Sequence, residues 1–233
     1  MATRDNILTK EVLNLILLLD NSYSMLNGRI AQLNNAIPTL KSNLMQVAKD
    51  NDVDIKLRII SFSNTPRWQV GTVTDGVDIE SVVWKDLDVE DDTYTDLAIA
   101  EANKALKSAY LGSHALRPVV ILITDGNCNP YRHNEYLSSI EEMKKKLAKE
   151  TGKEKVTRIA IGVEDYNNDE LVEFASEGEI NGQLQPLVFK VDKSTDISKV
   201  INWVTVTSLL SSITNGDDDI VRVDDPAWGE DDD

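Results

Sequence analysis

Two stretches of this chain consist almost entirely of branched aliphatic residues, and each stops at an aspartate. Val12 to Leu19 (VLNLILLL) runs into Asp20, and Val119 to Thr124 (VVILIT) runs into Asp125. A short apolar run without polar alternation suits a strand covered on both faces. Such strands belong to parallel sheets, whose crossovers are helices packed on either side. The segments between the runs supply those helices. Ile30, Leu33, Ile37, Leu40, Leu44 and Val47 recur at spacings of three and four, the pattern of an amphipathic helix. Pro38 lies inside this helix and is expected to remove one backbone bond and kink it.

The same reading continues along the chain. Residues 54–62, 155–161 and 187–191 are expected as strands, and 95–110, 135–149, 168–176 and 197–210 as helices. Trp68 to Val73 pairs with the second strand as an edge hairpin, and residues 74–92 form an acidic loop with a short helical turn. Strand and helix alternate, so the expected class is α/β. It has a doubly wound, mostly parallel sheet, helices on both faces and one antiparallel edge strand. This domain spans residues 11–214, after a lead-in of 1–10 and before an acidic tail of 215–233, expected to be disordered when alone.

Charge narrows the function classes. The net charge is −16, which argues against binding nucleic acid or an anionic membrane surface, since both need a basic face. The last nineteen residues hold nine acids against Arg222 alone and carry half of that charge. Cys128 is the only cysteine, so no intrachain disulfide can form. With no signal peptide and no apolar stretch long enough to span a bilayer, a cytoplasmic location is expected.

Three separated pieces carry chemistry. They are Asp20, Ser22 and Ser24 in Asp20-Asn21-Ser22-Tyr23-Ser24, Thr93 ahead of an Ala-rich helix, and Asp125 in Thr124-Asp125-Gly126. Taken singly, each also reads as a helix cap or a turn. All three nevertheless fall on loops at one edge of the expected sheet, where open α/β sheets carry their ligands. Two carboxylates and three hydroxyls make an all-oxygen site for a hard cation. Mg²⁺ suits it, with Mn²⁺ or Ca²⁺ as substitutes.

In these residues the chain resembles the von Willebrand factor A family. That family's metal-ion-dependent adhesion site has Asp-x-Ser-x-Ser after the first strand, Thr in a later loop and Asp after the fourth strand. The matching positions here are Asp20, Ser22, Ser24, Thr93 and Asp125. The resemblance covers roughly residues 10–213. It implies a cation held by the serines and threonine, with the aspartates binding directly or through water. One coordination position would remain for an acidic side chain of a protein partner. Leu17 to Asp20, Met25, Arg29 to Ile37 and Ile59 to Phe62 look closest to bacterial TerY-type members, linked to tellurium resistance. That likeness implies a stress-response or defence module with kinase or phosphatase partners, and no catalysis. The family often has Gly at Tyr23 and Gly-Gly at Asp91-Asp92. Tyr23 and Tyr94 are therefore expected to rim the metal, with Asp92 adding negative charge.

Two other readings compete. A Mg²⁺-dependent phosphohydrolase using Asp20 would need a second Asp two residues on, where Ser22 stands. A structural unit would self-assemble by placing one copy's tail at the next copy's metal. His114, Cys128 and His133 match no standard zinc spacing. In the tail, Ile220, Val221 and Val223 and then Trp228 interrupt the acids, as anchors of a docking segment would.

Overall fold

The computed structural model describes residues 10–125, 128–147, 155–164, 166–193, 196–215 and 220–223. In chain order the elements are β1 (Val12–Asp20), α1 (Arg29–Asn51), β2 (Asp54–Phe62), β3 (Pro66–Val70), β4 (Val77–Asp78), α2 (Thr95–Ala105), α3 (Ser108–Leu111) and β5 (Val119–Thr124). After them come α4 (His133–Lys145), β6 (Thr157–Val163), α5 (Asn168–Phe174), β7 (Glu177–Ile180), β8 (Gln183–Pro186), β9 (Val188–Val191), α6 (Ile197–Asn215) and β10 (Arg222–Val223).

The main sheet has the order β3-β2-β1-β5-β6-β9. Its four inner pairings are parallel, β3 closes one edge antiparallel, and the short β4 pairs antiparallel with the start of β2. The doubly wound sheet expected from the two apolar runs is therefore present. Those runs, β1 and β5, lie side by side at its centre.

Alternation along a strand sends successive side chains to opposite faces. Leu13, Leu15, Leu17 and Leu19 of β1 join the core under α1 and α6. Ile16 and Leu18 join the core under α2, α4 and α5. Both faces are thus sealed, which is why the run contains so little polar alternation. α1 continues unbroken through Pro38 for 23 residues.

Three features depart from the sequence reading. The helix expected over 95–110 stops at Ala105 and resumes as α3. Long-range polar contacts hold this break. The buried Arg58 donates to the Tyr110 carbonyl at 3.0 Å and to Asn14 Oδ1 at 3.0 Å, and Asn14 donates to the Leu111 carbonyl at 3.0 Å. β6 runs on through Gly162 to Val163, and glycine suits position 162 because a Cβ there would meet the Tyr166 ring at 2.5 Å. A second sheet, β10-β7-β8, packs beside the main one. It covers an additional side of α6 with Val221 and Val223, which explains why buried residues occur around so much of that helix.

The loop between β4 and α2 crosses the top of the molecule and is pinned to α1 by two side chains, the first being Lys41, which donates to the Val82 carbonyl at 2.7 Å. Asn34 donates to the Leu87 carbonyl at 3.0 Å and accepts from the Leu87 amide at 2.9 Å. Both bonds are buried, so removing the amide strands two backbone groups away from water. Asn34→Leu is expected to cost about 2 kcal/mol of stability. Urea denaturation measures it, and an unchanged midpoint would show that the loop is not held this way.

Candidate metal centre

The strand register builds this site. β1 and β5 run parallel with Leu19 opposite Ile123, so Asp20 and Thr124 emerge together at the carboxyl edge, with Asp125 one residue later. Asp20 is fully buried. Its Oδ1 accepts from the Ser22 amide at 2.8 Å and its Oδ2 from the Thr124 hydroxyl at 2.6 Å. Just above, the Ser22 and Ser24 hydroxyls lie 2.9 Å apart, and Ser24 donates to Asp125 Oδ1 at 2.7 Å. The structure therefore joins Asp20, Ser22, Ser24 and Asp125 in one hydrogen-bonded series, with the Ser22 amide as the link to Asp20.

Thr93 is carried to the same edge by its backbone. Its carbonyl accepts from the Asn129 amide at 3.2 Å, the Asp92 amide donates to Asn64 Oδ1 at 2.7 Å, and the Tyr94 amide donates to the Ser63 carbonyl at 3.0 Å. Thr93 is thus tied to the segments just past β5 and β2. Its hydroxyl makes no hydrogen bond among the described residues. Asn21 completes the frame: its amide bonds the Phe62 carbonyl, its carbonyl takes the Glu90 amide, and its side chain donates to the Asp88 carbonyl at 2.9 Å.

Sequence reasoning missed Arg29, which opens α1 beside the site. It donates to Asp125 Oδ2 at 2.6 Å and to the Ser24 carbonyl at 3.0 Å, and it pairs with Glu164, beyond β6, at 2.5 Å. Asp125 therefore gives one oxygen to the serine and the other to a guanidinium. Nothing in local periodicity marks this contact, because Arg29 and Glu164 are 135 positions apart. Tyr131, 94% exposed, was also missed; it follows Asn129, whose amide bonds the Thr93 carbonyl.

The expected rim is arranged unequally. Tyr23 stands out from the surface, 69% exposed, and its amide bonds the Asp91 carbonyl at 2.9 Å. Tyr94 is half-buried, with the Arg132 guanidinium over its ring at 5.3 Å. Asp92 is exposed. Gly126 lies outside the described residues, as do Trp228 and the rest of 224–233. Of the other tail anchors, Val221 and Val223 are buried within this chain's own second sheet, so they are used internally rather than held out for a partner.

The donor set fits a hard divalent cation: hydroxyls and carboxylates without sulfur or nitrogen. Among the described residues no three His, Cys, Asp or Glu converge on one point. A site here rests on two carboxylates and supporting hydroxyls. Cys128 offers no thiolate ligand, since burial, with Glu170 adding to it, pushes its thiol up to about 12.

A model of the von Willebrand factor type A domain matches residues 14–203, and the chain belongs to that family. No curated protein matches the sequence. Among solved structures, proximal thread matrix protein 1 of the mussel byssus is 17% identical with a TM-score of 0.56, covering 84% of this chain and 47% of that one. The same byssal protein is also known with zinc in its MIDAS motif, with a TM-score of 0.55. The ArnB paralog VWA2 of Sulfolobus acidocaldarius is 17% identical with a TM-score of 0.54, covering 83% of this chain and 45% of that one. BatB of Bacteroides thetaiotaomicron is 18% identical with a TM-score of 0.54, covering 88% of this chain and 100% of that one. At these identities the likeness is one of fold. The chain spans about half the length of the byssal and archaeal proteins. Among the described residues no helix is long and apolar enough to cross a membrane.

The buried carboxyl makes a pH signature. Burial pushes Asp20 up from 3.8 to about 6, the bonds from Ser22 and Thr124 oppose the rise, and Asp125 adds to it. Between those values the native protein holds a proton that the unfolded chain has released. Without metal, the stability that Asp20 contributes is therefore fully present below 3.8, falls as pH rises to about 6, and is lost above. At 1.36 kcal/mol per unit the fall is about 3 kcal/mol. Asp20→Asn is expected to flatten it. Denaturation in chelator across this pH range measures the effect, and identical profiles for the two proteins would exclude Asp20 as its source.

Proposed function

We propose that this protein is a metal-dependent interaction module. Asp20, Ser22, Ser24, Thr93 and Asp125 would hold a divalent cation, Mg²⁺ by preference and Mn²⁺ or Ca²⁺ in its place. When bound, the cation supplies a positive charge that an acidic side chain of a protein partner can complete. The observation that carries this reading is the hydrogen-bonded series at the carboxyl edge of the sheet, which runs from Asp20 through the Ser22 amide and then through the Ser22 and Ser24 hydroxyls to Asp125.

The residues divide the work. Asp20 places negative charge beneath the serines. Ser22 and Ser24 present hydroxyls above it, and Thr93 has a hydroxyl to give. Arg29 neutralises part of Asp125 and leaves its other oxygen toward Ser24. Exposed Tyr23 and Tyr131 offer aromatic contact to whatever reaches the site. A MIDAS motif in the byssal protein that holds zinc supports a cation at this position.

The phosphohydrolase reading is less well supported. A carboxylate nucleophile must reach its substrate, but both oxygens of Asp20 are engaged and fully buried. We therefore read binding without turnover. The TerY-type residues at 17–20, 29–37 and 59–62 support placing the module in a cytoplasmic stress-response or defence system, with a kinase or phosphatase as partner.

The site is tested by metal-induced thermal shift. Saturating Mg²⁺ or Mn²⁺, at about 100 times its dissociation constant, should stabilise the wild type by about 2.7 kcal/mol. Asp20→Ala and Asp125→Ala should lose the shift while keeping the fold, and Thr93→Ala should shrink it. Equal shifts in all four proteins would sink the assignment. The bridging role has its own test. A library of acidic peptides should be retained in Mg²⁺ and released by EDTA, and retention that ignores EDTA would rule out recognition through the metal.

A further inference from the structure

At the opposite end of the sheet lies a cleft that the adhesion site does not use. Arg117 sits just ahead of β5 and Thr157 and Arg158 open β6, so the cleft is at the amino ends of these strands. Its volume is about 650 Å³, within the range of about 300–1,000 Å³ typical of ligand pockets. Two surface chemistries meet there. Among the described residues the lining holds three cations, Arg117, Lys144 and Arg158, and two carboxylates, Glu173 and Glu177, in a chain of net charge −16, and Lys144 also pairs with Glu141 at 2.8 Å. Val172, Leu184 and Ile220, three of the exposed large hydrophobic residues, line the same cleft. Thr157 is 2% exposed, and its hydroxyl in the cleft wall has no hydrogen-bond partner among the described residues.

The cation in the floor is held in place. Arg158 is 2% exposed and donates from Nε to the Phe174 carbonyl at 2.6 Å. Burial pushes its guanidinium down to about 10, with Glu141 opposing and neighbouring Arg117 adding to the fall. A buried cation in that position gains from added negative charge.

The sequence holds a matching segment within reach. Ile220 and Val221 themselves line the cleft and lead into β10, which ends at Val223. The following residues are Asp224-Asp225-Pro226-Ala227-Trp228-Gly229-Glu230, then three aspartates. Trp228 is five residue steps beyond Val223, a reach of up to about 17 Å. We propose that the cleft is the docking site for this chain's own residues 224–233. Trp228 lies against Val172, Leu184 and Ile220, and the flanking carboxylates meet Arg117 and Lys144. This places the tail at the end of the molecule away from the metal centre and does not depend on the metal reading.

Fluorine-labelled tryptophan in the full-length protein tests the idea. Trp228→Phe identifies its resonance, and a free peptide of residues 224–233 gives the undocked position. The wild-type resonance should be broad and displaced from the peptide's. Leu184→Asp, on the exposed hairpin, and Lys144→Glu, on the surface of α4, should each return it to the peptide position, as should high salt in part. Lys49→Glu, on α1, should not. Thermal melts confirm that the variants are folded. A wild-type resonance at the peptide position, or one that ignores both cleft variants, overturns the proposal. A displacement lost on dilution assigns the occupant to a second copy and overturns docking within one chain. A displacement lost on chelation assigns the tail to the metal centre and overturns the cleft.

Discussion

The parallel register of β1 against β5 is the constraint on which the site depends. It sets Leu19 opposite Ile123, so Asp20 and Thr124 leave the sheet side by side. The Thr124 hydroxyl then reaches one oxygen of Asp20 and the Ser22 amide reaches the other. A shift of one residue would turn every side chain of these strands to the opposite face. It would exchange the residues that fill the two cores, since both faces are apolar, and separate the two aspartates. Folding and site assembly are therefore one event here, because the apolar residues that fix the register are the same residues that deliver Asp20.

Electrostatics above that register is balanced by distant groups. Two carboxylates within one small site repel each other, and Asp125 adds to the upward push on Asp20. Arg29 answers that charge from the first turn of α1, while Glu164 fixes the guanidinium from the end of β6. Glu164 is one of five non-glycine residues among those described with positive φ, a conformation that costs energy and persists only where its surroundings enforce it. Its amide bond to the Val191 carbonyl at 2.7 Å is one such restraint. The carboxyl ends of β1, β2, β5, β6 and β9 thus all contribute to one edge.

The second sheet shows how a short element escapes periodicity while carrying a plain local signal. β7 and β8 have four residues each, too few for alternation to stand out. Between them, Asn181 and Gly182 both adopt positive φ, at 51° and 77°. Asn-Gly is a strong hairpin turn signal, because its backbone twist matches that of the flanking strands. The turn was therefore legible at 181–182, although the sheet was not. β10 joins through two residues near the acidic tail, where composition points to solvent rather than burial. Gly178 permits the close packing: a Cβ there would meet Leu187 at 2.5 Å and the Val221 carbonyl at 2.8 Å.

By itself the sequence determined the class of sheet, its two central strands and the helices on each face, because apolar run length and helical spacing are local properties. It also marked Asp20, Ser22, Ser24, Thr93 and Asp125 as oxygens at one edge, since each follows a strand or precedes a helix in the right order. Only the tertiary structure decided what lies between those elements. Arg29 on Asp125, Asn34 on Leu87, Arg58 in the break after α2 and the cleft beside β10 join residues dozens of positions apart. Such contacts depend on where whole elements come to rest, and no local spacing encodes that.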